Sequence, residues 1–198
     1  MNDHRDPEVV KPEQRRVGVD VEPGDLHPTL TEQLLDMASP RAYLAERIEL
    51  HPVLRTSLDL VAAKAADKNI EFQTDFAASP DTAFTDASAA KQVMLNLCFN
   101  AIQALESREG ERWVKVSTRN LPGGIEMAVA DSGPGIAEEI RPRLFQPFHS
   151  TKSTGFGLGL AICSDILANL DASITLDPPA PGRGATFRVI FPCQPSSS

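Results

Sequence analysis

Excess positive charge is the first thing this sequence lacks. Nineteen lysines and arginines stand against 27 aspartates and glutamates, for a net charge of −8 at pH 7. That argues against a general binder of nucleic acid or of anionic membrane, both of which are held by clustered cations. It does not exclude a single nucleotide, which needs only a local group of donors and a cation. Cysteine is scarce, and its count of three is odd. Cys98 and Cys163 fall in apolar helical patterns and Cys193 near the end, with no CxxC pair and no metal-ligand spacing. Free thiols, mostly buried, in a reducing compartment are therefore expected. No apolar run approaches the roughly 18 residues of a membrane span, and the opening residues are polar and acidic rather than signal-like. A cytosolic chain is expected, alone or as part of a membrane-associated parent. No internal repeat is visible.

What remains is ordinary for a globular protein: 198 residues, 41% hydrophobic and 23% charged. That length allows one sizeable domain and an appendage. Residues 1–25 are rich in charge and proline and read as a flexible lead-in. Residues 26–48 read as a helical linker, with Leu30, Leu34, Leu35 and Ala38 at helical spacing until Pro40 interrupts. Residues 49–193 form the main domain, and 194–198 a tail. Within the domain, helices are expected from Pro52 to Lys68, Ala87 to Arg108, Ala137 to Leu144 and Leu158 to Leu170. Strands are expected over Ile70–Phe76, Thr82–Asp86, Trp113–Arg119, Ile125–Asp131, Ser173–Asp177 and Ala185–Phe191. Leu121-Pro122-Gly123-Gly124 between two of them is a hairpin signal. Mixed strands and helices with hairpins point to an α+β fold, a two-layer sandwich.

The helix from Gln92 to Leu105 is apolar nearly all round except for Gln92, Asn96, Asn100 and Gln103, which fall on one face at i+3 and i+4 steps. This stripe is either the helix's only wet face or a functional one, since buried amides left unpaired cost roughly 1–3 kcal/mol each. In Asp131-Ser132-Gly133-Pro134-Gly135-Ile136, the acid continues the core-facing row of Met127 and Val129 at a strand end. A buried carboxylate must be paired or hydrogen-bonded, though a plain turn with Asp131 as a helix cap reads equally well. Gly155-Phe156-Gly157-Leu158-Gly159 runs into a helix, where exposed amides and close approach make an anion site or merely a glycine-rich start. Ahead of it lies Phe145-Gln146-Pro147-Phe148-His149-Ser150-Thr151-Lys152, two aromatics about a proline and then several donors. His149 and Lys152 by themselves read as solvated surface groups.

In this order the four stretches resemble the N, G1, F and G2 boxes of the ATP-binding domain of sensor histidine kinases. That family belongs to the GHKL superfamily, which also holds type II topoisomerases, Hsp90-like chaperones and mismatch-repair ATPases. The resemblance covers about Leu50 to Pro192. It implies a Bergerat-type two-layer sandwich, with a mixed five-stranded sheet, helices on one face and ATP in the gap. By the same resemblance Asn100 is the Mg²⁺ ligand, Asn96 lies near the phosphates, and Asp131 accepts from the adenine amino group. Gly133, Gly135 and Ile136 shape the adenine pocket. Ser150, Thr151 and Lys152 fall in the family's lid, whose far hinge runs through Gly155, Phe156, Gly157, Leu158 and Gly159. Thr186 is a strand hydroxyl near the adenine. Asn96, Asn100 and Lys152 form the catalytic set.

An amide at Asn96, where the topoisomerase and chaperone branches have glutamate, cannot serve as a general base. The resemblance therefore implies a kinase rather than an efficient hydrolase. The expected activity is transfer of the γ-phosphoryl group of Mg-ATP to a histidine on a helical hairpin domain, for relay to a response-regulator receiver domain. No contact with nucleic acid or membrane is expected of this chain. The family's phosphoacceptor context, a histidine followed by an acid and then proline and leucine, is not met at His4, His27, His51 or His149. The acceptor is therefore expected on a longer parent chain or on another polypeptide. Two alternatives stay open: a serine/threonine kinase of the anti-sigma type, and an ATP-dependent binding module without catalysis.

Overall fold

The structure, a computed structural model, describes residues 43–106, 108–147, 158–179 and 184–195. Residues 26–42 of the helical linker expected over 26–48, and the glycine-rich stretch up to Gly157, lie outside these residues. In chain order the elements are β1 (Glu46–Glu49), α1 (Leu50–Asp67), β2 (Glu71–Phe76), β3 (Thr82–Thr85), α2 (Ala87–Leu105), β4 (Trp113–Leu121) and β5 (Gly124–Asp131). A 3-10 turn follows at Arg141–Arg143, then α3 (Gly159–Ala168), β6 (Ser173–Leu176) and β7 (Thr186–Pro192).

Five strands form one sheet in the order β2-β4-β5-β7-β6. β2 runs parallel to β4, and the other three pairings are antiparallel. A parallel pair needs a long crossover, and here the connection carries β3 and α2. The Leu121–Gly124 hairpin forms as expected: Leu121 pairs with Gly124 across Pro122 and Gly123, and Gly123 adopts φ 81°. Proline followed by glycine at positive φ is the chemistry of a type II turn.

Alternation assigns the faces of the sheet. Val114, Val116, Ile125, Met127, Val129, Phe187, Val189 and Phe191 point to the helices and are buried. Leu50, Leu54, Val61 and Ala65 of α1 and Val93, Met94, Leu97, Ile102 and Leu105 of α2 meet them in one core. Fully burying such a side chain contributes about 1.5–3 kcal/mol. The other face carries polar residues, among them Arg119, Glu126 and Arg188.

Two expectations are corrected. Residues 46–48, read as part of a helical linker, are strand: β1 pairs antiparallel with β3, from Glu46–Thr85 to Glu49–Thr82. A four-residue strand edge carries too short a pattern to separate from the end of a helix. The helix expected over Ala137–Leu144 is a single 3-10 turn. Pro142 has no N–H to give, and Ile140, Arg143 and Leu144 all donate to the carbonyl three residues back.

Candidate nucleotide site

α2 starts where Asp86 caps it, Oδ1 accepting from the N–H groups of Ser88 at 2.8 Å and Ala89 at 3.0 Å. Burial works to raise the Asp86 pKa, but these bonds and others from the Ser88 hydroxyl and Leu44 N–H hold it below the ordinary value. The cap fixes the register of everything that follows on the helix. Ten of its residues are buried, from Ala89 to Leu105, while Gln92, Asn96, Asn100 and Gln103 form a half-buried stripe.

Two members of that stripe, Asn96 and Asn100, adjoin the start of α3. Asn96 Nδ2 donates to the Gly159 carbonyl at 3.4 Å and approaches Cys163 Sγ at 3.5 Å. A Cβ on Gly159 would stand 3.9 Å from Asn100 Nδ2. Among the described residues no side chain caps α3 at Leu158, and the helix starts beside Asn96 and Asn100. Amides at a helix start with a dipole behind them favour an anion. Cys163, behind Asn96, is fully buried and its thiol is pushed up to about 12 by that burial, with the Asn96 contact acting the other way. Cys98 is buried and pushed up to about 12 in the same manner; Cys193 is half-buried, and all three cysteines are free.

One turn beyond Asn100, Ala104 faces a different kind of surface. Asp131, at the end of β5, is 6% exposed. Its Oδ1 accepts from the Gly133 N–H at 2.7 Å and from the Ala185 N–H at 3.3 Å. Glycine is required at the two places that crowd it. A Cβ on Gly133 would stand 2.6 Å from Asp131 Oδ1 and 3.4 Å from the Ala104 Cβ, and one on Gly184 would collide with Asp131 and the Gly133 nitrogen. Gly135 turns the loop at φ 77°, a conformation L side chains rarely adopt. Arg108 Nη1 donates to the Gly133 carbonyl at 3.2 Å, and Ser132 Oγ accepts from the Trp113 N–H at 3.0 Å, so both sides of the loop are tied. From Asn96 to Ala104 is eight residues, about 12 Å along the helix. Along α2 the two asparagines beside the start of α3 are thus followed, past Ala104, by a buried carboxylate.

The structure therefore brings together Asn96, Asn100, Leu158 and Gly159 at one end and Asp131, Gly133, Gly135 and Ile136 at the other. Thr186 is not brought to Asp131. It lies opposite Ala130, and so shares the sheet face of Glu126 and Arg188 rather than that of Asp131. What this part of the chain brings to the carboxylate is the Ala185 N–H. Ser150, Thr151, Lys152, Gly155, Phe156 and Gly157 lie outside the described residues. Ala104, Arg108, Gly184 and Ala185 were not legible as site residues. They act through backbone groups, small size or a neighbour's carbonyl, and only Gly184, as a glycine, leaves a mark in the sequence. Among the described residues no cluster of three or more histidines, cysteines or acids is placed to hold a metal, and no helix is long and apolar enough to cross a membrane.

This sheet, with a helical amide stripe above it and a glycine-flanked acid at a strand end, defines an ATP-binding domain of the GHKL type. Residues 85–195 match the family described as histidine kinase-, DNA gyrase B- and HSP90-like ATPase, and the chain belongs to it. It is 35% identical over 166 residues to the sensor histidine kinase ZraS of Klebsiella oxytoca, a match that covers 82% of this chain and 35% of that one. Its fold is similar to the catalytic domain of the histidine kinase ThkA, with TM-score 0.66, 29% identity, and coverage of 75% of this chain and 95% of that one. It is likewise similar to full-length ShkA in complex with AMPPNP, with TM-score 0.70, 27% identity, and coverage of 81% and 34%. The chain spans between 22% and 38% of the length of curated relatives such as ZraS. The family implies ATP as the ligand.

Proposed function

We propose that the chain is the catalytic domain of a histidine kinase. It binds Mg-ATP along α2 and presents the γ-phosphoryl group to an imidazole on a helical hairpin domain, in a longer parent chain or in trans. A response-regulator receiver then takes the group from that histidine. The observation that carries the reading is the pairing of a buried, backbone-held Asp131 carboxylate with amides, and no carboxylate, at positions 96 and 100. The acceptor oxygens of Asp131 suit the adenine amino group and would face a carbonyl in guanine. Neither asparagine can take a proton from water, which suits a site that holds ATP for another nucleophile. In the transfer, the bond from the γ-phosphorus to the ADP oxygen breaks and a bond to the imidazole nitrogen forms.

The donor set fits Mg²⁺: Asn100 offers an amide oxygen to a hard cation whose other ligands would be phosphate and water, with Asn96 beside it. Bound there, the ion supplies neutralisation of phosphate charge. The chain's own residues hold the base, aim the α3 amides at the phosphates and keep a general base away from them. Ser150, Thr151, Lys152 and the glycines Gly155, Gly157 and Gly159 are assigned to the lid over the phosphates on the family resemblance, with Phe156 and Leu158 in its hinge. The resemblance to ZraS and ThkA supports the kinase over a hydrolase. Incubation with γ-labelled ATP and a supplied hairpin domain tests the activity. Acid-labile, alkali-stable label on the hairpin histidine is expected; acid-stable label on a hydroxyl would establish the serine/threonine alternative, and no label despite ATP binding the non-catalytic one.

A further inference from the structure

The ion pairs on the open face of the sheet serve none of the steps above. Glu126 is 4% exposed, although it lies on the face away from the helices. It accepts from Arg119 Nε and Nη2 at 2.7 and 2.9 Å and from Arg188 Nη1 at 2.6 Å. Arg188 turns its other edge to Asp177, Nε and Nη2 reaching the two carboxylate oxygens at 2.6 and 2.7 Å. A two-pronged pair of this kind fixes orientation as well as distance. Asp177 directly follows β6. Its N–H donates to the Thr186 carbonyl at 2.9 Å, and its own carbonyl accepts from Arg141 Nη2.

Those contacts add a second tie between two segments that already meet at Asp131 and Ala185. Arg141 opens the 3-10 turn after the Asp131–Ile136 loop. The chain leaving Asp177 comes back at Gly184 and Ala185, the residues packed on the Asp131 carboxylate. Between the segments lies a cleft of about 190 Å³, with Pro134, Ile136, Arg141, Leu176, Asp177 and Ala185 in its walls. Arg141 spans it. Asp177 is tied through its N–H to Thr186, two residues after Gly184, and Gly184 packs closely enough on Asp131 and Gly133 to leave no room for a side chain.

We propose that Asp177 is a positioning residue for base recognition. Held by Arg188 through its carboxylate and by Arg141 through its carbonyl, it sets where Gly184 and Ala185 lie on Asp131, and so how well the site distinguishes a purine with an amino group from one without. This rests on the assignment of Asp131 to the base. An acceptor aimed at one ligand atom must be held within about 0.5 Å by its supporting residues, and Asp177 is the residue to which both supporting segments are fastened.

The test is the affinity of the folded chain for Mg-ATP and for Mg-inosine triphosphate, which carries a carbonyl in place of the adenine amino group. Melting temperature is recorded alongside. Wild type is expected to prefer ATP. Asp177→Ala is expected to weaken ATP binding about tenfold, the scale of one charge-assisted hydrogen bond, while inosine triphosphate changes less than about twofold. Asp177→Asn, which keeps one acceptor, should fall between. Equal weakening of both nucleotides would overturn the proposal, since it would mean general support of the fold; so would no change in either. A wild type without preference for ATP would instead overturn the assignment of Asp131 to the base, and this inference with it. If Asp177→Ala does not fold, Arg141→Ala removes only the bridge across the cleft and carries the same comparison of ratios.

Discussion

At the scale of single residues, the site depends on what each side chain is prevented from doing. Asp131 is buried, yet two backbone N–H groups meet its Oδ1. Those donors offset part of the cost of burying a carboxylate and fix its orientation. Asp131→Asn removes the charge and presents a donor where an acceptor is wanted. It is expected to weaken ATP binding by more than about tenfold, by calorimetric titration, while leaving the fold intact. Unchanged affinity would show that the adenine lies elsewhere. Asp131 was legible in the sequence because an acid at the end of an apolar alternating strand is out of place. Ala185 was not, because the useful group is its N–H and every residue but proline has one.

Among the elements, α2 organises the rest. Its apolar faces enter the core and its amide stripe is left to the gap, so the helix can slide or rotate only by losing one or the other. Asp86 fixes its first turn, and through Oδ2 also receives the Leu44 N–H at 3.1 Å from the chain ahead of β1. Asp86→Ala is expected to lower stability by about 1 kcal/mol, the usual worth of a lost cap, seen as a drop of roughly 2–4 °C in melting temperature. A loss well below that would mean that neighbouring groups satisfy the same N–H donors. Elements with long periodic patterns, α1 and α2, were readable within a residue or two at most ends. The segment 137–144 was misread because its apolar spacing is helical while Pro142 withholds the N–H that a full turn requires.

For the whole molecule, the two faces of the sheet divide the work: one holds the core and the gap, the other an ion network. Burial works to raise the pKa of Glu126, but hydrogen bonds and charge from Arg119 and Arg188 win and place it below its ordinary 4.5. A carboxyl held lower in the folded chain stabilises it above the unfolded value, and that stability is lost as pH falls through the folded one. Glu126→Gln is expected to be less stable at pH 7 by about 1–3 kcal/mol, below the figure for a sealed pair because Arg119 remains 59% exposed. The gap from wild type should close as pH drops below 4.5. Melting curves of both proteins between pH 7 and pH 3 check this, and a gap independent of pH would mean that packing, not charge, accounts for the difference.

By itself the sequence determined the class of fold, the buried helix with its asparagines, the strand-end acid and the family resemblance. Each of these lies within one local stretch, where periodicity and residue type carry the information. Only the tertiary structure decided that Ala185 rather than Thr186 serves Asp131, that Gly184 is confined by a carboxylate 53 positions earlier in the chain, and that Asp177 fastens two loops together. These depend on which strand lies beside which and in what register. A shift of one residue in pairing exchanges the two faces of a strand, and register is set by the closed packing of the whole sheet rather than by any one segment of it.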